Sequence, residues 1–278
     1  MTTYRIHEEH WDYQGSDPNA PLFVLLHGFG ASTFTWREVT AELAKLGEVW
    51  AYDRPGFGFT ERPTKWTGTN PYSVAGQLEL LEERVLEVAH DRPVIVIGHS
   101  AGGQIATYFA ATHPLMVAGL VLISPAMVAA GAPEPIAKLF RNRLFDAVGP
   151  KLVSKFVKAG MRILETSVHD KEFLTEDVVA GYQAPLKNED WTVVFWQFVR
   201  TPQPRDQKEA IAKTACPTLV ITGDDDRVVP TLVSRLLAPT YPNSRYVEIS
   251  GAGHLCHEEK PAEFMDAVRQ NLPWLLRK

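Results

Sequence analysis

Cysteine is scarce in this chain of 278 residues, which holds only Cys216 and Cys256. Two cysteines cannot form the dense bridge framework of a small secreted domain. Long apolar runs are missing too, and nothing approaches the roughly 18 residues needed to cross a bilayer. Met1-Thr2-Thr3-Tyr4-Arg5-Ile6-His7 lacks the basic and apolar regions of a secretory signal. Neither sign of charge dominates, with 28 basic and 33 acidic residues giving a net −5. No basic patch marks a nucleic-acid binder. Internal repeats and low-complexity segments are absent as well. A cytoplasmic protein with reduced thiols is the resulting expectation. The 45% hydrophobic and 22% charged residues are ordinary for a globular chain.

What is present is a repeated alternation of buried strands and helices. Pro21-Leu22-Phe23-Val24-Leu25-Leu26 is continuously apolar, the mark of a strand covered on both faces. It ends at His27-Gly28-Phe29-Gly30. Helical spacing of apolar residues predicts a helix from Thr33 to Leu46, and a short strand follows at Val49-Trp50-Ala51-Tyr52. Ser73 is a good N-cap for a helix with Val74, Leu78, Leu81, Val85 and Val88 on one face. Further strands are expected at Val94–Ile97, Leu120–Ile123, Thr218–Thr222 and Tyr246–Ile249, with helices after each. This order predicts a mostly parallel sheet flanked by helices. The alternation pauses between Pro125 and Lys208, where helical patterns and many prolines point to an inserted helical unit.

Gly98-His99-Ser100-Ala101-Gly102 has the pattern G-x-S-x-G, between a buried strand and a helix. The glycines permit a turn too tight for side chains, and Ser100 is presented above the sheet as a nucleophile. The helix N-terminus behind it favours negative charge. A serine hydroxyl needs a base. His254, reached through Ser250-Gly251-Ala252-Gly253, is the candidate. His99 is expected to pack with its side chain away from that of Ser100, yet close enough to count among the residues around the substrate. His257 is expected at the surface, and His27 is expected to orient its loop. A carboxylate must hold the base, and Asp224-Asp225-Asp226 ends the strand at Thr222. Composition does not choose among the three. Two backbone N–H groups are needed for the oxyanion. Ala101 supplies one, and Phe29 in the His27–Gly30 loop supplies the other. That loop lacks the Lys-Ser/Thr of a P-loop and the third glycine of a dinucleotide site.

These motifs, with Asp53-Arg54-Pro55-Gly56-Phe57-Gly58, Gly223–Pro230 and Gly253-His254 followed by Glu259 and Pro261, resemble the α/β-hydrolase superfamily. The resemblance is to its group with a helical cap and a Ser-His-Asp triad. The implied fold is α/β, with the core in residues 1–124 and 209–278 and a cap, or lid, in 125–208. The family pattern G-x-x-D-x-x-V-P places Asp226 at the triad acid, with Asp224 and Asp225 toward solvent. Dehalogenases and epoxide hydrolases of this fold use Asp where this chain has Ser100.

The resemblance implies hydrolysis of carboxylic esters without metal or organic cofactor. The expected partner is a small-molecule ester, not a nucleic acid or a membrane, and no feature indicates an oligomeric state. Met127, Phe140, Trp191, Phe195 and Trp196, with His99, are the expected substrate-binding residues. Hydrolysis of a C–C bond in a meta-cleavage product shares the triad and stands as the alternative. In that group a proline-glycine pair typically occupies the place of Ala31-Ser32, and a Trp that of Leu255. A ligand-binding protein that lost catalysis is a further possibility, opposed by the complete triad. Cys216 and Cys256 belong to opposite sheet edges, too far apart to pair.

Overall fold

The computed structural model describes residues 4–127, 149, 151, 162–187, 191–202, 204 and 206–277. Among them, one sheet contains β1 (Glu8–Trp11), β2 (Leu22–Leu26), β3 (Glu48–Tyr52), β4 (Val94–His99), β5 (Gly119–Ile123), β6 (Thr218–Gly223) and β7 (Ser244–Ile249). The spatial order is β1-β3-β2-β4-β5-β6-β7. All pairings are parallel except that of β1 with β3. The antiparallel strand is an addition to the expected architecture. Its Glu8-Glu9-His10-Trp11 is a mostly half-exposed edge without an apolar run.

The strands are buried on both faces because alternate residues serve two different cores. Leu22, Val24, Leu26, Val96, Leu120 and Leu122 share one cluster with residues of α2 (Val74–Val88) and α3 (Ala101–Thr112). Phe23, Leu25, Ile95, Ile97, Val121 and Ile123 share the other with Trp36, Val39, Leu43 and Phe264. Full burial of each such side chain is worth about 1.5–3 kcal/mol. Ser73 caps α2 by accepting from the Gly76 N–H at 3.1 Å.

The expected helix from Thr33 to Leu46 is broken. A single 3-10 turn, Thr33–Trp36, precedes the short α1 (Thr40–Leu43). Asp53 Oδ1 takes the Thr33 N–H at 2.6 Å, and β-branched Thr33, Thr35, Val39 and Thr40 weaken helix propensity. The apolar residues still face the sheet.

Between β5 and β6 the described residues include α4 (Glu176–Gln183), α5 (Trp191–Arg200) and α6 (Gln207–Lys213). After β6 come α7 (Thr231–Leu237), the short α8 (Cys256–Glu259) and α9 (Pro261–Leu275). Cys216 and Cys256 are both free. No helix among the described residues is long and apolar enough to cross a membrane.

The chain leaves β2 toward β3 and then returns past it to β4, so β2 and β4 are neighbours. Loops leaving their C-terminal ends diverge and open a crevice between them. The register Leu26↔Gly98 sets the His27–Gly30 loop beside Ser100. Likewise, Gly223↔Ile249 sets the loops bearing Asp226 and His254 side by side.

Candidate active site

Ser100 has φ 51° and ψ −118°, a left-handed conformation that costs a residue with a side chain about 1–3 kcal/mol. The turn is held by its neighbours: Ser100 N–H donates to Ile123 O at 2.8 Å, and Ala126 N–H donates to Ser100 O at 3.1 Å. A Cβ on Gly98 would lie 2.7 Å from Gly102 O, and one on Gly102 would lie 2.1 Å from Leu26 O. Both glycines are therefore required by close backbone approach. Ala101 opens α3, so its N–H belongs to the unpaired first turn of a helix.

His254 and Asp226 meet in a buried contact, Nδ1 to Oδ2 at 2.8 Å. A carboxylate oxygen can only accept, so Nδ1 carries a proton, and the neutral tautomer that this contact selects has its lone pair on Nε2. The other oxygen of Asp226 accepts from the Val228 and Val229 N–H groups, each at 2.9 Å. Asp226 thus faces its partners with both oxygens occupied. Asp224 does different work, fixing the turn after β7 through Ser250 Oγ and Gly251 N–H. Asp225 was expected in solvent but is only half-exposed. It binds His169 Nδ1 at 2.8 Å and Arg227 through both carboxylate oxygens. Those partners hold its carboxyl below the usual range, the His169 hydrogen bond most of all.

His99 is a correction to the expected substrate-binding set. Its ring lies buried under the site, 4.7 Å from the ring of His254 and 4.9 Å from that of His257. Its Nε2 meets the His254 carbonyl at 3.1 Å. Burial, reinforced by neighbouring histidines, keeps its pKa well below the ordinary value. It braces the backbone of His254. Met127 is a second correction. Its sulfur sits at 3.8 Å from Thr107 Oγ1 and 3.7 Å from Tyr241 OH, within the core under α3.

His257 is a third correction, since it is fully buried instead of superficial. Its ring packs on Trp36 at 5.0 Å, and burial lowers its pKa to about 3. Beside it, Glu258 is also buried. It accepts from Thr35 Oγ1 and from Arg37 Nη1, each at 2.5 Å, and from Tyr182 OH of α4. Desolvation pushes its carboxyl up, against the opposing pull of Arg37. Glu259 accepts from Gly253 N–H at 2.7 Å through one oxygen. Its other oxygen accepts from the His169 and Asp170 N–H groups at 2.7 and 3.0 Å.

Phe29 is 37% exposed, and its ring packs against those of Phe57, Phe195 and Phe198 at centroid distances of 5.4, 5.0 and 5.3 Å. Trp191 is half-buried, with its ring 6.4 Å from that of Phe195. Trp196 is buried against Gly149, off the face that Phe195 and Phe198 turn to Phe29. Phe140 lies outside the described residues. His27 orients its loop, its Nδ1 lying 2.7 Å from Gly28 O while its Nε2 accepts from Arg54 N–H at 2.9 Å.

A mostly parallel sheet with Ser, Asp and His on loops at its C-terminal edge, the serine in a strained strand-to-helix turn, defines the α/β-hydrolase class. The sequence profile of the Alpha/beta hydrolase family matches residues 23–267, and the chain belongs to that family. It is 28% identical over 264 residues to the uncharacterized hydrolase YugF of Bacillus subtilis, covering 92% of this chain and 90% of that one. It is 31% identical over 254 residues to the putative non-heme bromoperoxidase BpoC of Mycobacterium tuberculosis, covering 86% and 88%. A thermophilic esterase from Thermogutta terrifontis shares the fold at TM-score 0.75 and 22% identity, covering 99% of this chain and 95% of that one.

Proposed function

We propose that this hydrolase cleaves carboxylic esters by acyl transfer to Ser100. The observation that carries the proposal is the buried His254–Asp226 contact, which leaves His254 Nε2 free to accept the Ser100 proton. Ser100 Oγ attacks the ester carbonyl as His254 takes its proton. The Phe29 and Ala101 N–H groups receive the oxyanion. Collapse expels the alcohol, which takes the proton from His254. Water, deprotonated by the same histidine, then releases the acid and restores Ser100. This sequence uses only side chains, backbone amides and water.

We take residues 125–208 as the cap. Its Phe195 and Phe198 pack on Phe29, beside the proposed oxyanion site, and favour an apolar acyl or alcohol group. The test combines fluorophosphonate labelling with turnover of nitrophenyl esters of graded acyl length and of a meta-cleavage diketone product. The expected result is labelling that disappears in Ser100→Ala, with ester turnover well above diketone turnover. Equal labelling of parent and Ser100→Ala would remove the nucleophile assignment, and faster diketone cleavage would move the enzyme to C–C hydrolysis.

A further inference from the structure

Arg54 is a buried cation without an anion. Its residue is 1% exposed, and no carboxylate among the described residues pairs with it. Its Nε has no hydrogen-bond partner among the described residues. Nη2 donates to Gly28 O at 3.5 Å and Nη1 to Ala101 O at 3.4 Å. The guanidinium also lies 5.2 Å from the centre of the Phe57 ring. Burial draws its pKa down to about 10, so it stays charged at neutral pH. An unpaired charge is costly to bury and is an unstable choice for mere packing.

Its two contacts are carbonyls next to the N–H groups that the proposed function assigns to the oxyanion: Gly28 O, one residue before Phe29, and the carbonyl of Ala101 itself. Gly28 O and Phe29 N–H belong to one peptide group. There are no cis peptide bonds among the described residues, so this C=O and N–H point in opposite directions. Anchoring the carbonyl from below, with His27 and Arg54, therefore aims the Phe29 N–H to the other side of the loop. The second arm of the same planar fork touches Ala101. One rigid group thus ties the Gly28–Phe29 peptide to the first residue of α3 through two carbonyls, a two-point link that a lysine ammonium does not reproduce.

We propose that Arg54 is a positioning residue of the oxyanion site, setting the spacing of the Phe29 and Ala101 donors and adding a buried positive charge close to the developing oxyanion. This rests on the acyl-transfer reading above. The test uses the full chain with Arg54→Met and Arg54→Lys. It measures kcat and KM on one nitrophenyl ester, the rate of fluorophosphonate labelling, affinity for a trifluoromethyl ketone, and Tm. The expected loss in kcat is about 10–100-fold in Arg54→Met, with KM within about threefold and ketone affinity falling in step with kcat. Arg54→Lys should fall between parent and Arg54→Met. Tm of Arg54→Met should hold or rise, because an unpaired buried charge is gone.

Values of kcat and labelling rate within about twofold of the parent in both variants would overturn the proposal. So would a fall in Tm accompanied by rising KM, the mark of simple packing. If Arg54→Met does not fold, the kcat-against-KM split in Arg54→Lys decides. A parent that resists fluorophosphonate removes the acyl-transfer reading and this one with it. A parent that labels normally, with variants that label equally fast, removes only the role of Arg54.

Discussion

The helices between β5 and β6 meet the sheet core along two seams of opposite chemistry. On one side the bonds are polar and directional. Leu255 N–H donates to Ser167 O at 3.1 Å, Glu259 holds the His169 and Asp170 amides, Asp225 holds His169, and Tyr182 reaches buried Glu258. On the other side Phe195 and Phe198 rest on Phe29 and Phe57 through ring edges and faces. Hydrogen bonds lose strength steeply with misalignment, whereas ring contacts tolerate sliding. The polar seam borders the loops of Asp226 and His254, where displacement is least tolerable. The aromatic seam borders Phe29, one of the two donors proposed for the oxyanion.

The sharpest division lies inside the Asp triplet. Asp226→Asn should lower kcat about 10⁴-fold with circular dichroism unchanged, because an amide stabilises the wrong imidazole tautomer. Asp225→Asn, which touches only the seam, should stay within about tenfold. Reversal of the two would shift the acid by one residue. Next, Glu258→Ala should cost about 2–3 kcal/mol in urea unfolding, since half-buried Arg37 and Tyr182 lose their buried acceptor. A cost no larger than that of Phe195→Ala would erase the contrast between the seams.

Acid should loosen the core under the polar seam. His27, His99 and His257 are kept neutral in the fold by burial, the first two well below the ordinary range and His257 down to about 3. The unfolded chain takes these protons below about pH 6.5, so stability falls on acidification through that value, by up to about 1.4 kcal/mol per pH unit for each histidine. Tm measured from pH 7 to 5 should drop, and less steeply in His257→Gln; a flat profile would show that these rings accept protons in place. The smallest effect on stability belongs to the aromatic seam. Phe195→Ala should cost about 1–2 kcal/mol yet reorder preference among acyl lengths in a graded ester panel. An unchanged ranking would separate this seam from substrate choice.

The legible parts of the molecule were those whose cause is local. Val94–Ile97 running into Gly98–Gly102 announces strand, turn and helix within a few residues, and the apolar runs of β2, β5 and β6 need only themselves to be recognised. Asp226 became distinguishable from its neighbours through the spacing to Val229 and Pro230. Cys256-His257-Glu258-Glu259 was opaque because such a polar stretch is ordinary on a surface helix. Its burial depends on Thr35, Arg37 and Tyr182, which are remote in sequence and unremarkable alone. β1 gives no sequence signal because an edge strand facing solvent carries no apolar alternation. The role of Met127 misled because a flexible thioether reads equally well as a pocket wall or a core filler.

The left-handed backbone at Ser100 bears on how that position tolerates exchange. Glycine adopts that conformation without steric strain, so Ser100→Gly, which on the acyl-transfer reading removes the nucleophile, also removes backbone strain. On the acyl-transfer reading, backbone conformation and chemistry therefore pull in opposite directions at Ser100, and only the reaction favours the hydroxyl there.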